Sequence, residues 1–324
     1  MKRRLDREIR ETTLDSFVSH DAPMQACLTR ARLAARTDLP VLILGESGTG
    51  KTLLARAIHN SSGRTRGPFI SFNAAALSET LLDSQLFGHE RGAFTGASSR
   101  VKGKFELADG GTLFFDEVAD LSPQGQSKIL RAIEYGEFER LGSEALQEAD
   151  VRVLSATHYP VSTLAKNGTF RADLFHRLNG MSITVPPLRE RPHDLRVLLA
   201  DGISAASRAQ EKAIEGLDPD AVELLLAYEW PGNLRELAKV TEAAVALAED
   251  TVIRADVLRM LLDPAGFSAP HQASRAARRS MRLEDAVRHH IEWVLDEVRG
   301  NKRRAARELG VARATLERKL KEMA

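Results

Sequence analysis

Apolar positions follow two alternating patterns through the first two-thirds of the chain. Residues 40–46 (PVLILGE), 68–74 (PFISFNA), 111–117 (GTLFFDE), 151–157 (VRVLSAT) and 181–187 (MSITVPP) are short runs rich in β-branched or aromatic residues, which predicts five strands. Between them Leu53–His59, Leu77–Phe87 and Gln124–Tyr135 carry helical spacing. Strand–helix alternation of this kind predicts an α/β fold with a parallel sheet and helices on both faces. After Pro192 the strands stop. Asp194–Ala209, Asp220–Tyr228, Asn233–Ala248 and Ala255–Leu262 read as helices of a small all-helical subdomain. Residues 263–280 mix Pro, Gly, Ser and Ala without apolar periodicity and read as a linker. Helical spacing returns over Leu283–Val298, and a compact helical tail follows.

Composition narrows the class. Of 324 residues, 43% are hydrophobic, enough for a sizeable core. Cys27 is the only cysteine, which excludes an intrachain disulfide framework and a cysteine-rich zinc site and agrees with a reducing cytoplasm. The first residues, MKRRLDREIRETTLDSF, lack the apolar stretch of a signal peptide, and no apolar run reaches the length of a membrane span. The expectation is a soluble cytoplasmic protein with no membrane partner. Net charge is +1, but residues 271–324 carry 14 Lys and Arg against 8 Asp and Glu, a local net of +6. A basic tail on a mildly acidic body suggests a polyanionic partner for the tail.

Two motifs carry chemistry. Gly45-Glu46-Ser47-Gly48-Thr49-Gly50-Lys51-Thr52 fits the P-loop pattern and stands between a predicted strand and a predicted helix. Its glycines let backbone N–H groups wrap phosphates at a helix N-terminus, Lys51 is placed to reach the β- and γ-phosphates, and Thr52 to bind Mg²⁺. About 65 residues on, Leu113-Phe114-Phe115-Asp116-Glu117 ends a hydrophobic strand in two carboxylates. This is the Walker B arrangement: Asp116 would hold Mg²⁺ through water, and Glu117 would polarise the attacking water.

With these motifs in hand, residues 17–262 closely resemble the central domain of bacterial enhancer-binding proteins, the sigma-54-dependent activators of the AAA+ superfamily. The resemblance rests on GESGTGK, FGHERGAFTGA (87–97), GGTLFFDE, FRADLFHRLN (170–179), PPLRER (186–191) and WPGNLREL (230–237). It implies an ATPase that remodels sigma-54 RNA polymerase holoenzyme from a closed to an open promoter complex, working as a hexameric ring of its own copies with ATP and Mg²⁺. It also implies residue roles. Arg171 and Arg177 lie where the family places fingers that act on a neighbouring subunit's nucleotide, although either could simply pair with an acid such as Asp173. Arg235 matches the second sensor, Thr157 the first, and Asn73 the residue that holds the catalytic glutamate away from water. Phe94 and Thr95, in Gly92–Ala97, match the loop that touches sigma-54; the alternative is a buried aromatic in a tight turn.

Two positions depart from the family pattern. Thr52 stands where Glu usually follows the P-loop lysine, and His158 replaces the usual Asn after Ala156-Thr157. Thr52 preserves the general P-loop chemistry. His158 puts an imidazole where an amide is expected.

Residues 300–320 read as helix, Gly-centred turn, helix, and resemble a Fis-type helix-turn-helix. Arg313, Thr315, Arg318 and Lys319 fall on its second helix and are the candidates for contacting double-stranded DNA. The resulting organisation is an N-terminal extension 1–16, an AAA+ α/β subdomain 17–192, a helical lid 193–262, a linker 263–281 and a DNA-binding domain 282–324. Only about 20 residues precede the ATPase domain, so the expectation is no attached N-terminal sensor, and control by expression, a partner activator or a separate regulatory protein. Two other readings stay open on the motifs alone: another AAA+ machine such as a helicase loader or unfoldase, and a DNA-binding regulator whose ATPase core no longer drives remodelling.

Deleting residues 281–324 is expected to abolish specific DNA binding and leave ATP hydrolysis largely intact. Replacing Arg313, Arg318 or Lys319 singly with Ala is expected to lower the salt slope of DNA binding by about one unit wherever the side chain neutralises a phosphate. Filter-binding titrations over a salt series, run beside ATPase assays, check both.

Overall fold

The structure is a computed structural model that describes residues 11–74, 79–267 and 302. All five expected strands are present, as β1 (Val41–Leu44), β2 (Phe69–Asn73), β3 (Thr112–Asp116), β4 (Arg152–Thr157) and β5 (Met181–Thr184). They form one sheet in the order β2-β3-β4-β1-β5, and every neighbouring pair is parallel.

Period-2 geometry explains why these strands read as nearly continuous apolar runs: both faces are covered. On one face Val41, Ile43, Phe114, Leu154, Ala156 and Ile183 pack with helices α1 (Ala22–Ala35) and α2 (Lys51–Asn60). On the other, Leu42, Phe72, Leu113, Phe115 and Val153 pack with α3 (Glu79–Phe87), α4 (Pro123–Tyr135) and α5 (Ala172–Leu178). Phe114 and Phe115, adjacent in sequence and both fully buried, therefore anchor opposite cores. Helix α1 buries Met24, Cys27, Leu28, Ala31, Ala34 and Ala35 in this core, and the three alanines allow close approach.

Four helices follow the sheet: α6 (Pro192–Gln210), α7 (Pro219–Ala227), α8 (Asn233–Leu247) and α9 (Ala255–Leu261). Pro192 opens α6 at its first turn, where its missing N–H costs nothing. The chain divides into two compact units, residues 1–226 with 230–261, and residues 227–229 with 262–324. The first holds the sheet and nearly all of the four helices. In the second, Tyr228 and Phe267 form an antiparallel bridge with their rings edge-on at 5.0 Å.

Three short strand pairs fall outside the sequence expectation: 88–89 with 101–102, 137–139 with 146–148, and 216–217 with 252–253. Two or three residues carry too little periodicity to register as strands. Among the described residues no helix is long and apolar enough to cross a membrane. The expected helix Leu283–Val298 and the helix-turn-helix, with Arg313, Thr315, Arg318 and Lys319, lie outside the described residues.

His59 on α2 is buried, with Nδ1 at 2.8 Å from the Thr112 hydroxyl of β3. Burial, helped by the charges of Arg56 and Arg152, pushes its pKa down to about 4. A histidine depressed in this way is neutral in the folded state and takes up a proton on unfolding near pH 6. Its contribution to stability is present above pH 6.5 and is lost as the pH falls toward 4, by on the order of 3 kcal/mol. Urea unfolding between pH 7 and pH 4 is expected to show this loss, and His59→Gln to flatten the pH dependence in that window.

Candidate functional site

Parallel pairing carries the ends of four strands to one edge of the sheet. In the register, Asn73 of β2 stands opposite Asp116 of β3, and Leu44 of β1 opposite Thr157 of β4. The P-loop leaves the end of β1, so Asn73, Asp116, Glu117, Thr157 and Gly45–Thr52 all gather where open parallel sheets place ligands.

The loop itself is tightly held. Gly48 has φ +80, and a Cβ there would lie 2.3 Å from the Gly232 carbonyl oxygen, so only glycine fits. Gly50, also left-handed, caps α2. Lys51 is buried and its Nζ donates to the carbonyls of Gly45 (2.8 Å) and Glu46 (3.0 Å). Burial holds the Lys51 ammonium below the usual lysine range, opposed by the negative charges of Glu117 and Asp116. Thr52 Oγ1 donates to Asp116 Oδ2 at 3.2 Å, which places the two expected Mg²⁺-site residues side by side. This is a hydroxyl and one carboxylate. Among the described residues no cluster of three or more His, Cys, Asp or Glu could hold a metal by itself. Such a sparse donor set fits Mg²⁺, which binds through one or two protein oxygens together with water and substrate phosphates.

Glu117 follows Asp116 with φ +52, a left-handed backbone that turns the chain off the strand. Its Oε2 accepts a hydrogen bond from His158 Nδ1 at 2.8 Å and one from the His158 amide at 3.4 Å. The two carboxylates of the Walker B run thus have separate partners, one on α2 and one after β4. The Thr157 hydroxyl accepts from the Tyr159 amide at 3.1 Å and is fully buried.

The lid is strapped to the P-loop through residues to which sequence reasoning assigned no role. Arg189 grips both oxygens of Glu46, at 2.9 and 2.6 Å, a two-pronged pairing that holds the Glu46 carboxyl below its usual range. Asn233 is completely buried at φ +50. Its amide donates to Glu46 Oε2 (3.2 Å) and to the Ser47 carbonyl (3.1 Å), while its Oδ1 accepts from the Leu188 amide (2.7 Å). Arg235, the expected sensor, donates to Ser47 Oγ at 3.0 Å, and the Leu234 amide donates to the Gly48 carbonyl. The fragments PPLRER and WPGNLREL contained Arg189 and Asn233; only their spatial meeting at Glu46 was invisible.

The two expected finger arginines are exposed on α5 and at its N-cap. Arg171 pairs with Asp173, at 3.0 and 2.6 Å, and donates to Ser127 Oγ at 3.1 Å; the Asp173 carboxylate raises the Arg171 pKa above its ordinary value. Arg177 reaches the carbonyls of Ile133 and Glu134 at the C-terminal end of α4. Among the described residues neither arginine bonds a P-loop or Walker B residue.

Phe94 and Thr95 sit in a turn closed by Gly92 N–H to Ala97 carbonyl (2.9 Å) and Ala97 N–H to Phe94 carbonyl (3.0 Å). Thr95 is exposed; Phe94 is half-buried, its ring 5.0 Å from the buried His89 ring. The strand pair 88–89/101–102 forms the neck of this loop. Arg140, 6% exposed, braces it by binding Glu90 at 3.1 Å and Glu106 at 2.8 Å. No sequence pattern announces that brace, because its three members lie about 16 to 50 residues apart.

Comparison with known proteins agrees with this geometry. The sigma-54 interaction domain matches residues 17–184, the AAA+ ATPase lid domain residues 189–275, and the bacterial regulatory protein, Fis family, residues 282–323. The transcriptional regulatory protein ZraR of Escherichia coli K12 is 42% identical over 318 residues, covering 98% of this chain and 71% of that protein. The regulatory protein AtoC of the same strain is 40% identical over 304 residues, covering 93% of this chain and 66% of AtoC. The crystal structure of NtrX from Brucella abortus in complex with ADP superposes with TM-score 0.71 at 32% identity, covering 100% of this chain and 72% of that one. NtrX in complex with ATP gives 0.70 at 33% identity. The α/β sheet, the helical lid and the Fis-type region thus identify the chain as a member of the bacterial enhancer-binding proteins, the sigma-54 transcription activators built on an AAA+ P-loop domain.

Proposed function

We propose that this protein hydrolyses ATP and uses the energy, in a ring of its own copies, to remodel sigma-54 RNA polymerase holoenzyme from the closed to the open promoter complex. The observation that carries the proposal is the convergence of Lys51, Thr52, Asp116 and Glu117 at one sheet edge, with the lid strapped to the same loop. The P-loop glycines leave backbone N–H groups free to wrap phosphates. Lys51 supplies positive charge to the β- and γ-phosphates. Thr52 and Asp116 would hold Mg²⁺, which would offset the negative charge of the phosphates. Glu117 polarises a water whose oxygen attacks the γ-phosphorus as the bond to the β-phosphate oxygen breaks and ADP leaves.

Thr157 at a strand end and Arg235 in the lid report the nucleotide state of this centre, and Asn73 at the end of β2 holds Glu117 away from water until the target engages. Arg171 and Arg177 serve a neighbouring subunit's nucleotide. Their exposure and their lack of bonds to this chain's own P-loop support that assignment. A head-to-tail interface of this kind closes into a ring, and a hexamer is the proposed form. Thr95 and Phe94 touch sigma-54 from the tip of the braced loop. Arg313, Thr315, Arg318 and Lys319 hold the protein to upstream double-stranded DNA, which raises its local concentration near the polymerase.

Lys51→Ala is expected to lose ATP binding. Glu117→Ala is expected to bind ATP and hydrolyse it on the order of 10² to 10⁴ times more slowly. Nucleotide-binding and steady-state assays separate the two effects, and equal hydrolysis by Glu117→Ala and wild type removes Glu117 from its role.

Specific ATPase activity is expected to rise with protein concentration. Mixing Arg177→Ala or Arg171→Ala subunits with Lys51→Ala subunits is expected to restore part of the activity at mixed interfaces. A fully active monomer at high dilution contradicts the ring.

Thr95→Ala is expected to keep ATP hydrolysis and DNA binding and to lose open-complex formation by sigma-54 polymerase. Normal activation by this variant points instead to another AAA+ activity.

A further inference from the structure

We propose that the His158 side chain restrains Glu117, acting as a positioning residue that slows hydrolysis until the bond between them breaks. The inference rests on the ATPase reading above. A carboxylate oxygen only accepts, so the 2.8 Å contact places a proton on His158 Nδ1 and makes the imidazole the donor. The His158 amide points at the same Oε2 from 3.4 Å. Both donors therefore aim at one oxygen of the group proposed to polarise water.

His158 itself is firmly placed. It follows the last residue of β4, which lies between β3 and β1. The Tyr159 ring packs on the imidazole with centroids 3.9 Å apart, and the Tyr159 amide is bound to the Thr157 hydroxyl. Glu117 caps the short turn that follows β3.

The chemical consequence follows from what the hydrogen bond does to the carboxylate. A donated N–H stabilises the charged oxygen and occupies lone-pair space that a water would use. Glu117 polarises water less well while His158 holds it, whichever oxygen faces the water. Losing the donor should therefore raise the turnover rate and leave nucleotide affinity unchanged, because among the described residues His158 bonds Glu117 and no residue of the P-loop.

The test is steady-state ATP hydrolysis by the full chain, at concentrations where wild-type specific activity has reached its plateau. His158→Ala and His158→Phe are expected to raise kcat by a factor on the order of three to ten with KM unchanged. Phe keeps a ring against Tyr159, so its agreement with Ala assigns the effect to the missing donor rather than to missing packing. His158→Asn carries Nδ2 at a similar reach and is expected to bring kcat back toward the wild-type value. A kcat that falls or stays level in Ala and Phe overturns the restraint, as does an Asn variant indistinguishable from Ala. Glu117→Ala measured in parallel separates the two levels of inference. If wild type hydrolyses ATP, Glu117→Ala does not, and the His158 variants match wild type, the ATPase reading stands and the restraint fails. If wild type does not hydrolyse ATP, both fail.

Discussion

Every proposed chemical role here depends on one constraint, the parallel register that ends β2, β3, β1 and β4 along a common edge. Parallel strands must be buried on both faces, and their side chains alternate between two cores. That alternation fills the strand interiors mainly with apolar side chains and gathers the polar groups of the site at the strand ends. Asn73, Asp116 and Thr157 each sit on the last residue of a strand, and Glu117 and the P-loop lie just beyond. A one-residue slip of β3 would exchange Phe114 and Phe115 between cores and carry Asp116 away from Thr52. The same packing that stabilises the sheet therefore fixes the spacing of the site.

The lid adds a second constraint, carried by Glu46. This carboxylate lies within the P-loop, but its partners are Arg189 and Asn233. Arg189 lies just before α6, on the approach to the lid, and Asn233 opens α8 within the lid itself. The Asn233 amide also holds the backbone of Ser47, and Arg235 holds its hydroxyl. A change in the loop's shape on nucleotide exchange must therefore be felt at the lid, and lid movement at the loop. Such reciprocal linkage is the physical requirement for converting a bond-breaking step into motion.

The loop that carries Phe94 and Thr95 meets the opposite demand. Its tip holds open glycines at 92 and 96, with no atom near the position of an added Cβ. Its base is rigid: the Gly88–His89 strand pair and the buried Arg140, shared between Glu90 and Glu106. Open glycines at the tip of a braced neck suit the loop proposed to touch sigma-54, and Arg140 is the residue whose loss would soften the neck.

The sequence alone determined the five strands, the helical lid and the identity of the phosphate loop. Those features are local: a two-residue apolar period, an uninterrupted run of glycine-spaced motif, and a hydrophobic strand closing on two acids. It also singled out His158 as a departure without assigning it a partner, and it left Arg171 divided between a finger and a partner for Asp173. Only tertiary structure decided what these residues meet. His158 and Glu117 are 41 positions apart. Arg189 and Glu46 are separated by 143, and Asn233 and Glu46 by 187. Contacts of that range leave no periodicity in the chain, because they arise from how strands are ordered in the sheet and how the lid returns to it. Chemistry written in consecutive residues is legible from sequence; restraint and coupling, built from residues that folding brings together, become legible only in three dimensions.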